Sequence, residues 1–161
     1  VFQTEVLEND LSLGGPVVAD LMVAITGTDA DFVVKLIDVF PEDEPDPAPN
    51  PNSVLMGGYQ MLIRGEILRG KYRNSFEKPE AFVPNEITKV NYPLPDVAHT
   101  FKKGHRIMIQ IQNSWFPLAD RNPQKFMNIY EAEPKDFQKA THKIYHDTFN
   151  SSFITVKVLK P

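Results

Sequence analysis

Fourteen of the 161 residues are proline, nearly twice the ~5% of average usage, and no other feature limits the fold as tightly. A proline lacks a backbone donor and its ring collides with the preceding helical turn, so prolines collect in turns, at strand ends and on sheet edges. Long helices are therefore disfavoured. Between the prolines the apolar residues recur with a period of two, the spacing of a half-buried strand.

That alternation is cleanest over residues 105–113, where Ile107, Ile109 and Ile111 alternate with Arg106, Met108, Gln110 and Gln112 after a Lys102-Lys103-Gly104 turn. Residues 31–40 put Phe32, Val34 and Leu36 on one face and Val33, Lys35, Ile37 and Val39 on the other. Both faces are partly apolar, which predicts a central strand of a sandwich. Residues 17–25 form a β-branched apolar run ending at Gly27, and Thr88, Val90, Tyr92 and Leu94 share one face over 87–94. Residues 59–73 alternate imperfectly, with Gly65 and Gly70 read as bends or bulges and Arg64, Arg69, Lys71 and Arg73 as a cationic outer face. Pro134 suits the first position of a short helical turn. Residues 141–148 and 152–159 read as strands around Asn150-Ser151, with Ile154, Val156 and Val158 inward. Seven or eight short strands predict an all-β fold, a jelly-roll β-sandwich.

Two stretches are loops. Prolines 41, 45, 47, 49 and 51 enclose Glu42, Asp43, Glu44 and Asp46, which no ladder accommodates; a solvated hairpin tip is expected. A calcium site would need an Asp-x-Asp-x-Asp spacing with a glycine turn, and none is present. Residues 75–84 are polar and proline-bearing.

Several functions are excluded or unsupported. Seventeen Lys plus Arg against 21 Asp plus Glu give a net charge of −4, so there is no basic field to displace counterions from nucleic acid. The most apolar run, 17–25, is interrupted by Asp20 and is far shorter than the ~20 residues of a membrane-spanning helix. Without cysteine there are no disulfides, thiolate metal sites or cysteine nucleophiles. No serine sits in a G-x-S-x-G elbow, so no catalytic residue is expected. His142 and His146 are four residues apart, but on a strand they lie ~13 Å from each other; neither a metal nor a cofactor is expected. His99, in a polar loop, and His105 read as hydrogen-bonded structural histidines. Trp115, Phe116 and Tyr130 read as a platform for a sugar or neighbouring domain, with a cap on the core as the other reading of Trp115 and Phe116. The first five residues, Val1-Phe2-Gln3-Thr4-Glu5, have neither an initiator Met nor a leader pattern, as expected of a cut piece or a mature chain.

Several segments in order carry a resemblance. They are Gly15-Pro16, the run from Thr28-Asp29-Ala30-Asp31 to Asp38-Val39-Phe40-Pro41, and Leu68-Arg69-Gly70-Lys71-Tyr72-Arg73. Phe101 to Ile107 with Gly104-His105-Arg106 follows, then Asn113-Ser114-Trp115-Phe116-Pro117 leading to Asp120-Arg121-Asn122, and Ile144-Tyr145-His146-Asp147. Together they resemble the C-terminal domain of the CocE/NonD hydrolases, a group that includes esterases, α-amino acid ester hydrolases, acylases and X-Pro dipeptidyl-peptidases. The resemblance implies a galactose-binding-like jelly roll over residues 1–161, non-catalytic, with a strand or two supplied upstream. It implies an α/β-hydrolase domain and helical cap of the same polypeptide as partners, a small acyl or aminoacyl substrate for the parent, and an exported, periplasmic or extracellular setting. Ser114, Trp115, Phe116, Pro117, Arg121 and Asn122, with His105 and Arg106 at the start of a strand, become the candidate domain interface. In the family the segment after Phe40-Pro41 closes in a short turn, whereas here it runs on into the proline loop. The rival expectation is a carbohydrate-binding module using Trp115, Tyr130 or Tyr59; fold alone does not separate the two.

Overall fold

The computed structural model describes residues 1–160. Its strands are β1 (Phe2–Gln3), β2 (Leu11–Ile25), β3 (Asp31–Val39), β4 (Gln60–Arg69), β5 (Thr88–Phe101), β6 (Arg106–Gln112), β7 (His142–Tyr145) and β8 (Phe153–Thr155). One sheet has the order β1-β6-β3-β4 and the other β5-β2-β7, with β8 also on β2. Every pairing is antiparallel, and among the described residues helix is confined to three short 3-10 turns. The all-β sandwich expected from the prolines and the alternation is what forms.

Alternation places the core. Phe32, Val34 and Leu36 of β3 meet Leu13, Val17, Ala19, Leu21 and Val23 of β2 and Val90, Tyr92 and Leu94 of β5 between the sheets, with Ile107, Ile109 and Ile111 packed against them. Each large apolar side chain buried there contributes roughly 1.5–3 kcal/mol. Tyr92 ties the layers together by donating its buried hydroxyl to the Phe32 carbonyl at 2.8 Å; burial pushes its phenol well up. Val33 and Ile37, on the outward face of β3, are buried as well, as a strand apolar on both faces requires.

The structure corrects four details. β5 does not stop at Leu94 but continues through Pro93 and Pro95 to Phe101; it lies at the sheet edge, where missing donors disturb no second neighbour. His99 is therefore on a strand, not in a loop. The bulge of β4 is not at a glycine: Leu36 faces Arg64 and Ile37 faces Leu62, leaving Ile63 unpaired. β7 and β8 do flank a turn, closed by a bridge between His146 and Ser151, but they are shorter than expected and line up end to end along β2, at Met22 to Ile25 and at Val18 to Asp20. Beyond Thr155 a single bridge from Val158 to Leu13 holds the chain, so Val158 is 54% exposed instead of inward. The proline loop does form the tip between β3 and β4, and Pro134 does open a 3-10 turn.

Candidate functional site

Three of the sequence segments converge on one buried polar knot at the start of β3. Asp31 Oδ1 accepts from Arg69 Nε at 3.0 Å and its Oδ2 from Arg69 Nη2 at 3.1 Å. Asn122 Nδ2 donates to Asp31 Oδ1 at 2.8 Å, and Asn122 Oδ1 accepts the backbone N–H of Gln124 at 2.8 Å. Arg69 also donates to the Asp120 carbonyl at 2.9 Å. Burial opposes the Arg69 charge, yet the hydrogen bonds and charge of Asp31 outweigh it and hold the guanidinium above its ordinary range. Asp29 Oδ1 accepts the backbone N–H groups of Ala30 and Lys71 at 2.9 and 3.0 Å. Burial nonetheless pushes its carboxyl up against the lowering influence of Asn122 and those two donors, with the Asp31 charge adding to the rise. Removing one member of such a buried pair strands the other, which typically costs 3–5 kcal/mol.

The knot pins the turn that follows β6. Asn122 is only 6% exposed, so its side chain belongs to the interior, not to an interface. Trp115 neither caps the core nor stands free: its ring rests on the outer face of β4, where a Cβ on Gly65 would lie 2.6 Å from Trp115 Cη2, and Lys35 Nζ sits 4.6 Å from the ring centroid. Gly65 is thus needed for the approach of the indole. Phe116 does not cap the core either; it is 64% exposed and Tyr130 88%. With Asp120, Arg121, Ile129 and Phe137 they line a shallow groove of about 360 Å³. The Arg121 guanidinium lies 5.7 Å from the Phe116 ring and 5.6 Å from that of Phe137. Leu118 is exposed beside it in the chain. Phe116, Leu118, Tyr130 and Phe137 are thus large apolar side chains left exposed in this part of the chain.

The remaining candidates lie elsewhere. His105 and Arg106 are at the opposite end of β6, about 20 Å from the turn at strand rise. His105 Nδ1 and His99 Nε2 each lie 2.8 Å from one oxygen of Asp38, which makes both the hydrogen-bonded structural histidines expected. Arg106 Nη1 donates to the Thr4 carbonyl at 3.0 Å and lies 3.7 Å from Glu5. Ser114 is exposed at the rim of a cleft of about 480 Å³ that includes Phe32, Ile111 and His142. His142 Nε2 is 2.6 Å from Gln124 Oε1, and burial lowers its pKa against the pull of Asp31. His146 packs edge-on against Phe2 at 5.7 Å. Among the described residues no three His, Asp or Glu side chains gather as a metal site.

Sequence reasoning missed Asp29, Asp31, Arg69 and Asp38 as structural centres. The signal was there: Asp38 shares its face of β3 with Phe32, Val34 and Leu36, and a carboxylate in an inward register must have partners.

A family profile, the X-Pro dipeptidyl-peptidase C-terminal non-catalytic domain, matches residues 1–155. Cocaine esterase of Rhodococcus sp. (strain MB1 Bresler) is 29% identical over 159 residues, 99% of this chain and 25% of that protein. The crystal structure of an aminopeptidase from the marine sediment archaeon Thaumarchaeota archaeon superposes with a TM-score of 0.89 at 41% identity, covering 99% of this chain and 25% of that one. An α-amino acid ester hydrolase structure gives a TM-score of 0.89 at 43% identity over 98% of this chain and 25% of that one. The chain spans about a quarter of the length of these relatives. A match over nearly the whole sandwich, with the motif residues spent on buried polar contacts, leads to one conclusion: the chain belongs to the family of X-Pro dipeptidyl-peptidase C-terminal non-catalytic domains, the domain type of the CocE/NonD hydrolases.

Proposed function

We propose that this domain serves a serine hydrolase of ester or amide bonds as a rigid wall, docking its aromatic face on the α/β-hydrolase domain and cap of the same polypeptide. The observation that carries this reading is the exposed Phe116, Tyr130 and Phe137 groove, whose Asp120–Asn122 side is held by the buried bond of Asn122 to Asp31 and by the bond of Arg69 to the Asp120 carbonyl. A surface that is both apolar and fixed suits docking onto a second rigid body. The relatives' names, an esterase, an aminopeptidase and an amino acid ester hydrolase, point to small acyl or aminoacyl substrates.

In such a parent the serine attacks the carbonyl, a histidine carries the proton and backbone donors hold the oxyanion. This chain contributes position: a displacement of about 1 Å at a reacting centre can cost roughly 100-fold in rate. A carbohydrate-binding module would use Trp115, Tyr130 or Tyr59 as an open platform; Trp115 is already seated on Gly65 and Lys35, and although Tyr130 is exposed, the match to a hydrolase domain family favours the hydrolase reading. The test has two arms. The chain alone is expected to hydrolyse neither p-nitrophenyl acyl esters nor X-Pro substrates, and turnover abolished by Ser114→Ala would overturn the assignment. In the longer protein, Phe116→Asp with Tyr130→Asp is expected to lower kcat/KM and thermal stability while leaving the fold of this domain intact; an unchanged enzyme would refute the docking face.

A further inference from the structure

Lysine is among the residues least often buried, and a buried ammonium ordinarily has a carboxylate beside it. Lys71, in the 3-10 turn Gly70–Tyr72 that follows β4, is 7% exposed. Among the described residues it forms no ion pair. Its Nζ donates once, to the Met127 carbonyl at 2.8 Å, and lies 5.4 Å from the Tyr72 ring centroid. An ammonium has three donors, so two are left. Neither Glu66 nor Glu77, the acids nearest in the sequence, pairs with it, and Asp29 spends its Oδ1 on backbone N–H groups, that of Lys71 included.

The ammonium does not sit in a closed core. Lys71 and Tyr72 line a groove of about 290 Å³ with Pro79, Phe126, Met127 and Asn128. Phe76, well exposed, stacks on Tyr72 at 6.1 Å and 27° and extends the aromatic rim. A cation without an anion, set beneath aromatic and proline walls, is complementary to an anionic head on an apolar body. A lysine that only clamped the 126–128 segment to β4 would need neither the groove nor the rim.

We propose that this groove binds a carboxylate, whose oxygens take the unused protons of Lys71 Nζ while its carbon body lies on Tyr72, Pro79 and Phe126. The site rests on no assumption about the parent hydrolase. The test is a two-dimensional NMR titration of the chain with benzoate and with benzamide, a neutral analogue of the same shape. Benzoate is expected to shift the signals of Lys71, Tyr72, Phe126 and Met127 saturably, with a Kd on the order of millimolar for so small a ligand. Benzamide is expected to bind on the order of tenfold more weakly, as is benzoate to Lys71→Met, whereas Lys71→Arg retains binding.

Equal responses to benzoate and benzamide, or no response at these residues, overturn the proposal. The contrast between the two ligands decides the matter even where Lys71→Met fails to fold. Repeating the titration on the longer protein separates the sources: binding in both forms marks a site for free carboxylates. Binding in this chain alone marks a groove that a neighbouring domain's carboxylate already fills.

Discussion

Replacing Asn122 with alanine tests the claim that the turn bearing the aromatic face is held from beneath. The side chain makes two buried bonds, one to the charged Asp31 at 2.8 Å and one from the Gln124 backbone at 2.8 Å. A hydrogen bond to a charged group is worth roughly 1.5–3 kcal/mol and a neutral one about 1 kcal/mol. The expected loss is therefore about 2.5–4 kcal/mol. A two-state domain of this size shifts by about 2–4 °C per kcal/mol, so Tm should fall on the order of 5–15 °C. Thermal and urea unfolding followed by far-UV circular dichroism read both quantities. Asn122→Asp sharpens the test, because it sets a second carboxylate against Asp31. The folded state then retains a proton that the unfolded chain releases, so stability falls as pH rises, and the variant should be worse relative to wild type at pH 7 than at pH 4. An Asn122→Ala variant within about 0.5 kcal/mol of wild type, or an Asn122→Asp penalty independent of pH, would refute the reasoning.

Three further outcomes are expected. Burial holds His142 neutral below its ordinary value, with Asp31 opposing. The unfolded chain thus takes up its proton first on acidification: the stability is fully present above about pH 6.5 and lost as pH falls below it. His142→Gln should flatten that limb of a Tm-against-pH curve, and an unchanged slope would contradict the assignment. Gly65→Ala places a Cβ 2.6 Å from Trp115 Cη2 and 3.0 Å from Cζ3, so the sole tryptophan must lift. Its emission should shift to the red, with a cost of about 1–3 kcal/mol, and an unaltered spectrum would show the ring is not seated there. Asp38→Ala deprives two imidazoles of their partner and should cost about 2–4 kcal/mol in urea unfolding; a neutral substitution would show the trio contributes nothing.

The strand pattern was legible because period-two alternation shows wherever one face of a strand is buried and the other is wetter, as in β6, and because a short β-branched apolar run marks a strand buried on both faces, as in β3. The alternation of Thr88, Val90, Tyr92 and Leu94 does not show that β5 continues to Phe101, and only the sheet order reveals an edge strand that tolerates Pro93 and Pro95. The resemblance located the right segments, but not what they do. Thr28-Asp29-Ala30-Asp31, Leu68-Arg69-Gly70-Lys71 and Asp120-Arg121-Asn122 meet in one knot through pairings between residues far apart in the chain, which no local pattern encodes. The seat of Trp115 on Gly65 was hidden for the same reason, because the glycine looked like a bulge until its neighbour across space was known.

Hydrogen exchange read by mass spectrometry on this chain alone and on the longer protein tests the central claim most directly. Docking through the aromatic face is expected to slow exchange over residues 114–122 and 129–137 in the longer protein, with the edge of β5 unchanged. Equal exchange over 114–122 in the two forms would contradict the account.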